Sequence, residues 1–133
     1  MSPETLQVTR TGNFQLGTKV HLERSLRLAD RLHGHFVMGH VDQVCWLEAK
    51  TDWTDFQCYR FSGVQNESKK FLVSKGSMAI NGVSLTLNQI VGDGFEVMLI
   101  PETLHRTNLA DLTVGEMVNV EYDYLAKLVI NRL

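Results

Sequence analysis

Two adjacent residues, Asn81-Gly82, constrain this chain more than any others. Both central positions of a tight type I′ hairpin turn need φ > 0, and Asn-Gly meets that demand. The apolar run Met78-Ala79-Ile80 precedes the pair. After it, Val83, Leu85 and Leu87 alternate with Ser84, Thr86 and Asn88. Side chains of a strand point to opposite faces in turn, so the first set faces a core and the second forms a polar row. Asp93-Gly94 starts a second reversal into Phe95–Ile100, and Lys75–Pro101 reads as a three-stranded meander with hydroxyls and an amide on one side.

The flanking segments extend this pattern. His35–Glu48 is rich in strand formers, Thr51–Asp55 makes a turn into a strand over Phe56–Ser62, and Met117–Tyr122 gives a final strand. Asn66–Leu72 reads as a short capped helix and Glu102–Asn108 as a helical turn. Tyr124–Leu133 places Leu125, Leu128, Val129 and Leu133 at helical spacing, giving one apolar stripe that docks on its own barrel or on another subunit. About six strands with short turns predict a small closed barrel, since closure removes exposed edges.

A repeat sets the domain organisation. Residue n matches residue n + 98 at Pro3/Pro101, Glu4/Glu102, Thr5/Thr103, Leu6/Leu104, Thr9/Thr107, Gly17/Gly115, Val20/Val118 and Glu23/Glu121. Eight identities at one offset mark an internal repeat of which the first copy contributes only its tail. The expected division is 1–31 as the tail of a preceding unit and linker, 32–123 as a barrel, and 124–133 as a C-terminal helix. Ser2-Pro3-Glu4-Thr5 opens that tail as a helical turn with a serine cap. Thr18–Leu22 is expected to form a strand, orphaned from its barrel, and Glu23–Leu32 a short helix or connector.

Composition narrows the function. At 133 residues the chain suits one domain, and a net charge of −2 does not favour a nucleic-acid partner. No apolar run approaches the ~20 residues of a membrane span and no signal peptide opens the chain, so a soluble cytoplasmic protein is expected. Cys45 and Cys58 form no CxxC pair and read as reduced, packed thiols. His33, His35 and His40 invite a metal reading, but strand parity would send His35 and His40 to opposite faces. His40, beside Gly39, is the better candidate for pocket chemistry. No phosphate-binding loop or hydrolase motif occurs. Taken alone, Ser84 and Thr86 read as the solvent face of a strand, and Lys75 and Asp123 as surface charges.

Four stretches then resemble the C-terminal barrel of riboflavin synthase: LHGHFVMGHVD (32–42), KGSMAINGVSLTL (75–87), LIPETL (99–104) and VNVEYD (118–123). SPETL and LERSLRLADRL resemble the end of that family's first barrel and the link between barrels. The resemblance implies an all-β fold, a six-stranded antiparallel Greek-key β-barrel with short helices and a C-terminal helix. It implies a homotrimeric transferase without metal or organic cofactor. That enzyme passes a four-carbon unit between two molecules of 6,7-dimethyl-8-ribityllumazine, giving riboflavin and a ribitylamino-pyrimidinedione. Each active site forms between the first barrel of one subunit and the second barrel of another.

Carried over by residue, the resemblance places substrate at Gly39, His40, Val41, Lys75, Ser84, Leu85, Thr86, Met98, Leu99, Ile100, Pro101, Glu102 and Thr103. His40, Asp123 and Ser84 take the catalytic roles, with His40 best suited to shuttle protons. The resemblance implies a first barrel, with the family's cysteine in a Gly-Val-Cys-Leu-Thr motif, that these 133 residues are not expected to form; the equivalent position here is Ser84. The expectation is therefore a chain that binds lumazine or riboflavin but is inactive alone. A non-catalytic carrier of the lumazine-protein kind, or a mere oligomerisation module, would use the same barrel.

Overall fold

The computed structural model describes residues 1–132. Six strands, β1 (Gln43–Asp52), β2 (Gln57–Ser62), β3 (Ser77–Ile80), β4 (Val83–Val91), β5 (Gly94–Leu99) and β6 (Met117–Tyr122), close into a barrel in the order β1-β2-β5-β4-β3-β6. Every pairing is antiparallel. The meander β3–β4–β5, with β6 returning beside β3, is a Greek key. Three short α-helices accompany the barrel among the described residues: α1 (Pro3–Val8), α2 (Pro101–Arg106) and α3 (Tyr124–Ile130). Among the described residues no helix is long and apolar enough to cross a membrane.

The alternation at β4 has the expected consequence. Leu85 and Leu87 enter a core with Met78, Ile80, Val97, Leu99, Tyr59 and Tyr122, while Ser84 and Thr86 face out. Phe61 and Phe95 pair across β2 and β5 with ring centroids 5.4 Å apart. Cys45 is buried and Cys58 half-buried, both free; burial pushes the Cys45 thiol up to about 12, which keeps it protonated and inert.

Asn81 (φ 48°) and Gly82 (φ 81°) form the predicted primed turn. The second reversal differs from expectation. Its loop residues are Gly92-Asp93, with Gly92 at φ 60° and Val91 paired to Gly94. Gly94 is instead a strand residue that touches β2: a Cβ there would lie 1.9 Å from the Phe61 carbonyl oxygen.

The repeat is visible in the backbone. Thr9 (φ −123°, ψ 160°) ends α1 as Thr107 (φ −126°, ψ 164°) ends α2, and each starts a 3₁₀ turn, Arg10–Asn13 or Asn108–Asp111. Thr9 Oγ1 donates to Thr5 O at 2.6 Å and Thr107 Oγ1 to Thr103 O at 2.7 Å. Gly17 and Gly115 follow at φ 92° and 93°. The copies then diverge. In the second, the chain becomes β6, bonded to β1 and β3; in the first, the strand expected over Thr18–Leu22 does not form. The barrel is closed and offers no free edge, so the tail lies against it as irregular chain.

Other expectations change in detail. Glu23–Leu32 is a connector without helix. Residues 31–42 are irregular, and the first strand begins only at Gln43, because Gly34 (φ 78°) and Gly39 (φ 74°) interrupt it. Asn66–Phe71 is a 3₁₀ helix that no side chain caps. Ser2 caps α1 as predicted, its Oγ accepting from the Thr5 N–H at 3.1 Å. The last residue of the predicted terminal stripe, Leu133, lies outside the described residues; Leu125, Leu128 and Val129 are exposed on α3.

Candidate functional site

The outward row of β4 shares one face with its neighbours. Ala79 on β3 pairs with both Ser84 and Glu121, so Glu121, Ala79 and Ser84 form one rank across three strands, roughly 10 Å from end to end. Ser77 pairs with Thr86 in the next rank. Extending the Leu87–Val97 pair by one position brings Thr86 beside Met98. Met98 is 42% exposed, and Ile100, just past β5, is 56% exposed. Two hydroxyls thus share one face, Thr86 exposed and Ser84 half-buried, with exposed apolar side chains beside Thr86, which suits a flat heterocycle that needs both stacking and hydrogen bonds.

A bulge in β4 between Leu87 and Gln89 re-aims Asn88. Asn88 Oδ1 accepts from Lys75 Nζ at 2.8 Å, and Lys75 itself stands at φ 63°. Leu85 and Leu99 point into the core, so any contact they make with a ligand comes from their main chain. Pro101, Glu102 and Thr103 open α2 directly beyond Ile100. Glu102 is tied to Arg106 at 3.3 Å, and the Thr103 carbonyl accepts from the Thr107 hydroxyl.

The irregular segment before β1 crosses this face. His35 Nδ1 lies 2.7 Å from Ser84 Oγ, and Met38 N–H donates to Glu121 Oε1 at 2.7 Å. His35 Nε2 is buried and, among the described residues, bonds to no other group, and Glu121 is buried as well. Asp42 anchors the far end: its Oδ2 accepts from Tyr122 N–H at 2.8 Å and pairs with Lys127 at 2.6 Å.

Between those anchors lie Gly39, His40 and Val41. His40 is exposed, with Nδ1 donating to the Met38 carbonyl at 3.2 Å. It sits at the β6 end of the rank, whereas Ser84 sits at the β4 end. Asp123 follows β6 and caps α3, its Oδ1 accepting from Leu125 N–H at 3.0 Å.

The parity argument for His35 and His40 fails here because no strand spans them. Sequence reasoning missed His35, which touches Ser84, and Glu121, which fixes the crossing segment. His35 did carry a signal, in the HGH tripeptide beside Gly34, but its partner is 49 residues away. Among the described residues no cluster of three histidine, cysteine or acidic side chains is spaced to hold a metal ion.

A family model described as the lumazine binding domain matches residues 38–123. The chain is 39% identical over 131 residues to riboflavin synthase of Chlamydia muridarum, covering 98% of this chain and 64% of that one. It is 36% identical to riboflavin synthase of Photobacterium phosphoreum, covering 97% and 59%. LumP complexed with riboflavin superposes with a TM-score of 0.79 at 24% identity, covering 90% of this chain and 64% of that chain. LumP complexed with 6,7-dimethyl-8-(1'-D-ribityl) lumazine gives 0.77, also at 24%, with coverage of 89% and 63%. At that identity the likeness is one of fold. The chain spans about three fifths of the length of the curated relatives it matches.

Proposed function

We propose, since this chain belongs to the lumazine binding domain family, that its barrel holds 6,7-dimethyl-8-ribityllumazine or riboflavin on the outer face of β4 and β5. In this reading it is the second-barrel part of a riboflavin synthase, a transferase. Residues 1–31 are the tail of a preceding repeat, 32–123 the lumazine-binding barrel and 124–133 its C-terminal helix. The observation that carries the reading is the outward row of Ser84 and Thr86 on β4, with Met98 and Ile100 beside it and His35, its Nε2 unsatisfied, against Ser84. A buried polar atom of that kind calls for a partner, and a pyrimidinedione ring offers one.

Ser84 and Thr86 orient the ring, Lys75 and Gly39–Val41 border it, and Pro101–Thr103 close the other side. The transfer of four carbons requires a methyl group to lose a proton and protons to move during ring opening. His40 is the group that moves them, and Asp123 stabilises charge or accepts a proton. No metal or organic cofactor enters. The exposed face of the rank is completed by the first barrel of a neighbouring subunit, and Leu125, Leu128 and Val129 of α3 supply contacts for a homotrimer in the cytoplasm.

Each neutral hydrogen bond to the ring is worth about 1 kcal/mol, so Ser84→Ala or Thr86→Ala is expected to weaken lumazine binding about fivefold, read by fluorescence titration. Unchanged affinity in both variants would move the ligand elsewhere. A second reading, binding without chemistry, draws on Asp123, whose carboxylate already caps α3. An assay for riboflavin formation in the presence of a first barrel separates the two.

A further inference from the structure

Four of the hydrogen bonds between the tail and the barrel fall into two pairs related by the repeat. Arg10 N–H donates to Asn119 Oδ1 at 2.8 Å, and Asn108 N–H donates to His21 Nε2 at 3.0 Å. Adding 98 to residues 10 and 21 gives 108 and 119, so each bond is the other with the copies exchanged. The second pair obeys the same rule: Arg10 Nη1 donates to Met117 O at 2.7 Å, and Asn108 Nδ2 to Lys19 O at 3.1 Å. The contact is a pseudo-twofold interface within one chain.

Its symmetry breaks at one side chain. The acceptor is an amide, Asn119, in the second copy and an imidazole, His21, in the first. The His21 ring is held at both nitrogens: Nδ1 lies 2.8 Å from the carbonyl of Asn81, at the Asn-Gly turn, and Nε2 faces the Asn108 N–H. Nδ1 must donate and Nε2 must accept, which only the neutral ring with hydrogen on Nδ1 can do. A second proton would set an N–H against the Asn108 N–H, whereas Asn119 cannot change in this way.

We propose that His21 is a proton-sensitive latch, and that its protonation releases residues 10–21 from the barrel. A cavity of about 380 Å³ beneath the tail opens with it, lined in part by His21, Asn81, Asn108 and Asn119. The charged groups around the latch do not oppose the effect. Arg10 and Lys19 lie on the tail, Asp111 on the 3₁₀ turn and Glu116 before β6. Lys19 pairs with Asp111 at 3.5 Å, and Glu116 accepts from Thr113 N–H. Two acids balance two bases, and none takes a ring nitrogen, since both face main-chain groups.

The test is amide hydrogen exchange of the whole chain, followed by NMR and corrected for the intrinsic rate, from about pH 7.5 to about pH 5. Protection of Arg10 and Asn108 is expected to fall together as the pH is lowered across this range, by up to about tenfold per pH unit, as one proton is taken up on release. Leu87 and Val97 in the barrel should hold their protection throughout. His21→Asn, which restores the residue of the other copy, should keep Arg10 and Asn108 protected at every pH. Constant protection in the parent chain, or the same pH-dependent loss in His21→Asn, would overturn the latch. So would a His21→Asn tail that is already released at neutral pH.

Discussion

Replacing His40 with alanine, in this chain supplied with a first barrel, is expected to slow riboflavin formation by about 10²–10⁴-fold while leaving lumazine affinity within about threefold. The reason is positional. His40 sits on a short bridge pinned by Met38 at Glu121 and by Asp42 at Tyr122 and Lys127, so its main chain is fixed while its ring stays exposed. With Nδ1 turned to the Met38 carbonyl, Nε2 is the nitrogen left to exchange protons with a bound ring. An interaction made only as protons move lowers turnover and spares binding. Single-turnover rates alongside fluorescence titration give both quantities. Equal turnover would remove His40 from the chemistry, and a matched loss in affinity would make it a binding residue.

Gly94→Ala is expected to destabilise the barrel by about 3 kcal/mol or more, since the added methyl meets backbone and not a flexible side chain. The Phe61 carbonyl oxygen would lie 1.9 Å from it and Ser62 Cα 3.0 Å, so β2 and β5 must move apart at the Phe61–Phe95 pair. Gly82→Ala is the useful control. It stands at φ 81° with nothing within 4 Å of a built Cβ, so it bears only the left-handed backbone penalty of about 1–2 kcal/mol. Urea midpoints of the two variants should therefore differ, with Gly94→Ala the lower. The reverse order would show that β2 and β5 approach less closely than described.

What could be read from residues alone follows the range of the interaction that decides each element. Asn81-Gly82 and the alternation from Val83 to Asn88 are local, and both the turn and the outward row of Ser84 and Thr86 are found as predicted. The capped turn at Ser2-Pro3 and its copy at Pro101 are local too. Thr18–Leu22 aligns through the repeat with residues 116–120, which run into β6, yet a strand needs a neighbour, and β1 and β3 already pair with β6. The first part of the strand expected over His35–Glu48, residues 35–42, fails for the opposite reason. Its Val and Phe suggest a strand, but Gly34 and Gly39 turn the chain so that it crosses the barrel. The contact of His35 with Ser84 is a product of that crossing, and no periodicity announces it. Gly94 was legible as a turn residue and proved to be a packing residue, because what it touches lies on β2.

The most direct measurement is a titration of the purified chain with 6,7-dimethyl-8-ribityllumazine, followed by an assay for riboflavin with and without an added first barrel. The account predicts a fluorescence change that Ser84→Ala weakens, and riboflavin formation only when the first barrel is present. No fluorescence change at ligand concentrations up to about 1 mM, a binding free energy of about −4 kcal/mol, would contradict a lumazine site on β4 and β5. Robust riboflavin formation by the chain alone would contradict a site completed by the first barrel of a neighbouring subunit.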